Sequence, residues 1–141
     1  MKIILFIVLK RVLLEGVKFK MEKKIIIADD EECSSNRIMR RLGDKVHEIV
    51  LASDGGLALK LIEESTPDLL ITDGDMPVMD GPELVEQLAQ RGYTFPIIFY
   101  TGNLSLISEK PNFGYSGSID YFDKLHLDQM CERANQIVCG R

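Results

Sequence analysis

Five side chains have types and spacing suited to handling a phosphoryl group. Asp29 and Asp30 follow the apolar run Ile25-Ile26-Ile27-Ala28, Asp73 follows Leu69-Leu70-Ile71, Thr101 follows Ile97-Ile98-Phe99-Tyr100, and Lys124 comes just after Ile119-Asp120-Tyr121-Phe122. If these runs are parallel strands, three carboxylates, a hydroxyl and an ammonium meet at one sheet edge, which is where open α/β sheets place ligands. Carboxylates about 5 Å apart repel by roughly 3 kcal/mol per pair at an effective dielectric of 20, so such a crevice needs a cation. Hard oxygen donors select Mg²⁺, or Mn²⁺ in its place. Asp30 and Asp73 are the expected direct ligands, with Asp29 acting through water. Asp73, at a strand tip beside that cation, is placed to attack phosphorus and form an acyl phosphate. Phosphoryl transfer then needs positioning and charge neutralisation. Lys124, the Thr101 hydroxyl and the backbone N–H groups that follow Asp73 and Thr101, at Gly74 and Gly102, would supply them.

These residues must be positioned by alternating strands and helices, and the chain reads that way from Met21 onward. A helix is expected over Ser34 to Leu42, a second strand over His47 to Leu51, and then a helix opened by Asp54-Gly55-Gly56 with Leu57, Leu61 and Ile62 on one face. Pro67 ends that helix. Asp80 is the expected N-cap of the next, with Glu83 three residues on and Leu84, Val85 and Leu88 turned inward. From Gly102 to Ser118 there are too many Gly, Ser and Pro for a long helix, so a short one near Leu104 to Glu109 and then an irregular loop are predicted. The last helix should run from Leu127 to Val138 with Leu127, Met130, Cys131, Ala134 and Ile137 at helical spacing. Right-handed crossovers and helices on both faces make a doubly wound five-stranded parallel sheet of order 2-1-3-4-5, a flavodoxin-like fold, the economical solution. That order sets Asp29, Asp30 and Asp73 side by side at the switch point.

A chain of 141 residues with 45% hydrophobic content fits one domain. We expect it over residues 21–141, with residues 1–20 as an N-terminal extension. Through Lys24 the chain carries +5 and thereafter −10, giving the net −5. An acidic main body argues against direct nucleic-acid binding, which depends on cations neutralising phosphates. The longest apolar run of the extension, Ile3 to Leu9, is well short of the ~18 residues that span a bilayer. Leu5, Leu9, Val12, Leu13 and Val17 with interspersed Lys and Arg would instead suit a basic amphipathic helix, the one place where membrane contact is conceivable. Cys33, Cys131 and Cys139 form no C-x-x-C pair, which suggests reduced thiols in a cytoplasmic protein.

Asp29-Asp30-Glu31-Glu32, Ala52-Ser53-Asp54-Gly55, Pro67-Asp68-Leu69-Leu70-Ile71-Thr72-Asp73, Met76-Pro77-Val78-Met79-Asp80-Gly81, Pro96-Ile97-Ile98 with Thr101-Gly102, and Tyr121-Phe122-Asp123-Lys124 together resemble the receiver domain of two-component response regulators. The resemblance covers about Glu22 to the C-terminus, and Asp73 to Gly81 is its most specific stretch. It implies that Asp73 is phosphorylated from a phosphohistidine on a sensor histidine kinase or histidine phosphotransfer protein. By the same resemblance Asp29 and Asp30 are the Mg²⁺-binding acidic pair, with Asp73 and the Asp75 backbone carbonyl completing the metal ligands. Gly74, Thr101, Gly102 and Lys124 would bind phosphate, and Thr101 and Tyr121 would be the switch residues.

The sequence departs from that pattern in places. Leu125 follows Lys124 where the family usually has a proline whose cis bond shapes the loop; cis bonds are rare without proline, so either a different loop or an unusual non-proline cis bond is expected. Asp75 adds a carboxylate two residues past Asp73, and it should alter the lifetime of the phosphorylated form. Arg37, Arg40 and Arg41 share a face of the first helix, either as a docking surface for a partner or as a solvated basic face. Seventeen residues follow Lys124, room for one helix, which suggests a stand-alone switch acting on an unknown downstream protein rather than an enzyme. Two other readings compete. Asp73-Gly74-Asp75 is a D-x-D resembling that of haloacid-dehalogenase-type phosphohydrolases, with Asp73 as nucleophile and Asp75 as general acid/base; that family puts the motif on its first strand. A receiver-like docking module that is never phosphorylated is the other, and the intact Asp30, Asp73, Thr101 and Lys124 set argues against it.

Overall fold

The computed structural model describes residues 22–43 and 47–140, without the His47 side chain. The amphipathic segment expected within residues 1–20 lies outside the described residues. Among the described residues five strands and five helices alternate: β1 Lys23–Ala28, α1 Glu32–Leu42, β2 His47–Ala52, α2 Gly55–Glu64, β3 Leu69–Thr72, α3 Gly81–Gln90, β4 Ile97–Thr101, α4 Leu104–Glu109, β5 Ile119–Asp123 and α5 Leu127–Cys139. The strands form one sheet in the order β2-β1-β3-β4-β5, all parallel. The flavodoxin-like topology expected from the alternation is the one observed.

Side chains alternate across a strand, and here the alternation splits the core in two. Ile25, Ile27, Leu69, Ile71, Ile98 and Tyr100 point to one face, where Ile38 and Leu42 of α1 and Met130, Cys131, Ala134 and Val138 of α5 meet them. Ile26, Ala28, Leu70, Ile97 and Phe99 point to the other, against Ala58 and Ile62 of α2 and Leu84, Val85 and Leu88 of α3. The three central strands are therefore apolar on both sides, as a sheet covered on both faces requires. Each fully buried Leu or Ile stabilises the fold by roughly 2 kcal/mol, so the sheet that carries the site residues is its most strongly held part.

Local chemistry sets the helix ends. Asp54 and Asp80 cap α2 and α3 by accepting from the Leu57 and Glu83 amides at 2.8 and 2.9 Å, and Asn103 caps α4 through the Ser105 and Leu106 amides. The capping of α3 by Asp80 agrees with the sequence expectation, as do the inward Leu84, Val85 and Leu88. Two details differ. Helix α1 starts at Glu32, two residues before the expected Ser34, with Glu32 in the first turn, where a carboxylate favours the helix dipole. In α2 the cap at Asp54 fixes a phase that turns Ala58 and Ile62 inward and leaves Leu57 38% exposed, so Leu57 is not on the buried face. None of the described helices is long and apolar enough to cross a membrane.

Candidate phosphoacceptor site

The ladder of backbone hydrogen bonds runs past the strand ends into the site. The Asp29 amide donates to the Ala52 carbonyl at 3.0 Å, the Asp73 amide to Ala28 at 2.8 Å and the Lys124 amide to Thr101 at 3.2 Å. Asp29, Asp73 and Lys124 are thus held by the sheet itself and not by a free loop. Asp29, Asp73 and Thr101 are almost wholly buried, at 4%, 7% and 0% exposure, whereas Asp30 is exposed.

One carboxylate oxygen from each of Asp29, Asp30 and Asp73 lies within 4.8 Å of the others. The Lys124 Nζ sits between two of them, 3.1 Å from Asp29 Oδ2 and 3.0 Å from Asp73 Oδ2. The remaining oxygens are also used: Asp29 Oδ1 accepts from the Glu31 amide at 2.9 Å and Asp73 Oδ1 from the Gly74 amide at 2.6 Å. Burial pulls the Lys124 ammonium toward deprotonation, but hydrogen bonds and charge attraction from Asp73 and then Asp29 more than offset it, and its pKa is raised. Lys124 is therefore a fixed positive charge in the crevice. An all-oxygen, anionic donor set with a single ammonium opposite suits a hard divalent cation such as Mg²⁺.

Thr101 Oγ1 accepts from the Asn103 amide at 3.1 Å, which leaves the hydroxyl proton available for donation. Gly74 offers its N–H to Asp73. Gly102 is exposed with open space around it. Asp75 is exposed in the loop after Gly74, and its carboxylate is outside the Asp29, Asp30 and Asp73 cluster. Tyr121 stacks on Phe99 with ring centroids 5.1 Å apart and planes 4° from parallel, and its hydroxyl donates to the Pro111 carbonyl. Of the basic set on α1, Arg41 pairs with Asp128 of α5 at 2.8 Å; Arg37 and Arg40 are exposed.

The loop after Lys124 takes its shape without proline. All peptide bonds of the described residues are trans, and Asp123 Oδ1 accepts the Leu125 amide at 2.8 Å while the Asp123 carbonyl accepts from His126 at 2.9 Å. The Tyr100 hydroxyl donates to the Lys124 carbonyl at 3.0 Å and supports the same turn from below. Sequence reasoning missed both supports. An Asx turn was readable at Asp123, since aspartate bonds the backbone two residues on, but the Tyr100 contact spans separate elements and leaves no local signal.

The sequence pattern of the response regulator receiver domain matches residues 25–134. The chain belongs to the response regulator receiver family. Among relatives of this family, it is 40% identical over 81 residues to the alkaline phosphatase synthesis transcriptional regulatory protein PhoP of Bacillus subtilis, a match covering 57% of this chain and 34% of that protein. It is 34% identical over 119 residues to the response regulator MprA of Mycobacterium ulcerans, covering 84% of this chain and 51% of that one. The match thus spans about half, or less, of these relatives' length. Among solved structures, the receiver domain of Francisella response regulator 1452 superimposes with a TM-score of 0.74 at 27% identity, over 84% of this chain and 98% of that one. Aspartate phosphorylation and Mg²⁺ binding characterise receiver domains as a family, and partnership with histidine kinases or phosphotransfer proteins is what membership implies.

Proposed function

We propose that Asp73 is the phosphoacceptor of a protein-contact switch that takes its phosphoryl group from a phosphohistidine. The observation that carries this reading is the convergence of the Asp29, Asp30 and Asp73 carboxylates within 4.8 Å, with the Lys124 ammonium bridging Asp29 and Asp73. An Asp73 oxygen forms the new O–P bond as the P–N bond to the donor imidazole breaks, and the imidazole keeps the electron pair. The Gly74 amide and Lys124 aim the Asp73 carboxylate and hold it against rotation. The Thr101 proton is available to a phosphoryl oxygen, and Lys124 offsets the charge that gathers there. Asp30, Asp73 and the Asp75 backbone carbonyl would hold a divalent cation, Mg²⁺ or Mn²⁺, with Asp29 acting through water, and bound there it would supply the remaining charge neutralisation. No general base is needed, because a carboxylate is already a competent nucleophile.

In this reading the chemistry is self-directed: the protein gains and loses its own phosphoryl group and turns over no external ester. It works in the cytoplasm, acts on a downstream protein and does not itself hold nucleic acid through this acidic domain. Thr101 and Tyr121 carry the change of state to the surface. Intact-mass spectrometry after incubation with acetyl phosphate and Mg²⁺ tests it. One added phosphoryl group on the wild type, absent from Asp73→Asn, is the expected result. An unlabelled wild type, or multiple-turnover hydrolysis of a phosphate ester, would overturn it.

A further inference from the structure

The sheet ends in two edge strands, β2 and β5, and they are finished differently. The β5 edge is guarded. Asp120 and Asp123 put carboxylates on the strand, Asp120 pairs with Arg133 at 3.0 Å, and the segment after α4 is drawn against β5 by the Tyr121 hydroxyl on the Pro111 carbonyl. At β2, no strand pairs with the outer side among the described residues. Charged side chains, prolines and covering segments are the devices that keep an open strand edge from pairing, and Ile49-Val50-Leu51-Ala52 has neither a charge nor a proline.

The direction of the free backbone groups follows from one hydrogen bond. The Ala52 carbonyl accepts the Asp29 amide at 3.0 Å, so Ala52 turns its backbone toward β1. That direction alternates along a strand; Glu48 and Val50 therefore also bond inward, and Ile49 and Leu51 offer N–H and C=O outward. Apolar side chains flank this edge. Leu51 is 38% exposed. Glu63 of α2 reaches toward α3 to pair with Arg91, so Leu61, two residues back, and Leu57, a turn earlier, lie on the opposite flank, on the β2 side. On the other face Arg41 of α1 reaches Asp128 of α5, and the same geometry puts the half-buried Met39 on the β2 side.

We propose that β2 is where two copies of this chain meet, pairing antiparallel about a two-fold axis at Val50. Antiparallel strands bond only where opposing residues both turn their backbone groups toward each other, which places the axis at a residue and not between two. At Val50 the axis sets Ile49 against the partner's Leu51, and their outward groups bond one another. Apolar side chains then meet apolar ones on the α1 face. Glu48, the one carboxylate of the strand, falls opposite the partner's Ala52 and not opposite its own copy. An axis at Ile49 would oppose Val50 to a carboxylate, and an axis at Glu48 would set two carboxylates against each other, which is destabilising. This self-complementarity is what points to a second copy. The competing occupant is the apolar run Ile3 to Leu9 of the same chain, and it would leave a monomer. Because the two-fold axis reverses one sheet relative to the other, the two Asp73 edges point in opposite directions and both stay open, so the association needs no phosphorylation.

Light scattering on the full chain tests this. At about 100 µM, where a micromolar dimer is saturated, the 15.9 kDa chain should run at twice its mass. Leu51→Lys and Leu57→Lys each place a solvated charge at a position already 38% exposed, and both should run as monomers with wild-type circular dichroism. Leu125→Lys, at a position 86% exposed in the loop after β5, should remain dimeric. The register has its own readout. Opposed residues at a non-hydrogen-bonded antiparallel position have Cα atoms about 4.5 Å apart, within the roughly 4.4–6.8 Å that a disulfide spans. Mild oxidation should therefore join Val50→Cys into a covalent dimer well beyond the level seen with wild type and its own thiols. A monomeric wild type overturns the proposal, as does a dimer that survives both Leu51→Lys and Leu57→Lys. Val50→Cys cross-linked no more than wild type overturns the two-fold axis at Val50.

Discussion

The site edge and the irregular strap after α4, Lys110 to Ser118, both lie outside the helices and beyond or before strand ends, yet they are held in opposite ways. At the site, Asp29, Asp73 and Lys124 continue the hydrogen-bond ladder of the sheet, and both oxygens of Asp29 and Asp73 have partners. The strap's first half, Lys110 to Gly114, has a turn closed by Asn112 and two outside contacts, the Phe113 ring on Phe99 and the Tyr121 hydroxyl on the Pro111 carbonyl. Phosphoryl transfer gains most from groups that need no reorganisation when charge develops, whereas a switch needs an element with two arrangements close in free energy. The sheet meets the first need, because it fixes Asp29, Asp73 and Lys124 by its own backbone hydrogen bonds.

If that division is real, equally crowded substitutions in the two regions should differ in what they damage. Gly81 begins α3 directly behind the site. A Cβ there would overlap the Asp73 carbonyl oxygen and come within 2.7 Å of Phe99 Cε1. Gly81→Ala should cost about 3 kcal/mol of stability and slow acetyl phosphate labelling as well, because the displaced backbone is that of the phosphoacceptor. Denaturant melts with intact-mass kinetics would check it. Gly117 is the matching position in the strap's later half, which the Tyr115 hydroxyl anchors on the Phe95 carbonyl, and a Cβ there would overlap the Thr94 carbonyl oxygen and approach Tyr115 Cε2 to 2.6 Å. Gly117→Ala should cost about 2 kcal/mol with the labelling rate kept near wild type. Equal loss of labelling in both variants would mean that the two regions are mechanically one.

Lys124 sharpens the electrostatic side of the comparison. Lys124→Met leaves three carboxylates within 4.8 Å without their ammonium. The variant should melt at lower denaturant than wild type, because the two carboxylates that lose their counter-charge have side chains only 2% and 9% exposed. Added Mg²⁺ should recover more stability in the variant than in the wild type, since the cation then replaces the missing charge. A thermal melt with and without Mg²⁺ reads this directly, and an identical Mg²⁺ increment in both proteins would show that the cation binds elsewhere.

How far these regions could be read from the sequence follows from how local their causes are. The strand order, the Asp80 cap and the short α4 each announce themselves within a few residues, by apolar runs, an Asp three before Glu83, and a cluster of breakers after Gly102. Convergence of Asp29, Asp73, Thr101 and Lys124 followed once the strands were parallel, because each lies at a strand's C-terminal end. The phase of α2 was misread at Leu57 because the core takes Ala58, a small residue that carries little hydrophobic signal. The Tyr100 support of Lys124 and the Tyr121 contact with Pro111 join elements distant in sequence, and no spacing rule reports such pairs. The strap's irregularity was legible from its breakers, whereas the contacts that close it were not.

The weakest expected effect belongs to pH, and its sign tests the Tyr121 contact with Pro111. Burial raises Tyr121 to about 12 from the ordinary 10.0. Below pH 10 the phenol is neutral in folded and unfolded chains alike, so its titration makes stability neither rise nor fall. Between pH 10 and 12 the unfolded chain loses this proton and the folded one keeps it, so stability contributed by the buried phenol drops as pH rises through that window. Above the folded value the phenolate can no longer donate to the Pro111 carbonyl, and the turn should open. Urea melts from pH 9 to 12 should therefore fall more steeply for wild type than for Tyr121→Phe, while the two run parallel below pH 10. Parallel curves across the whole range would show that the phenol is already solvated and that aromatic stacking on Phe99 alone holds Tyr121.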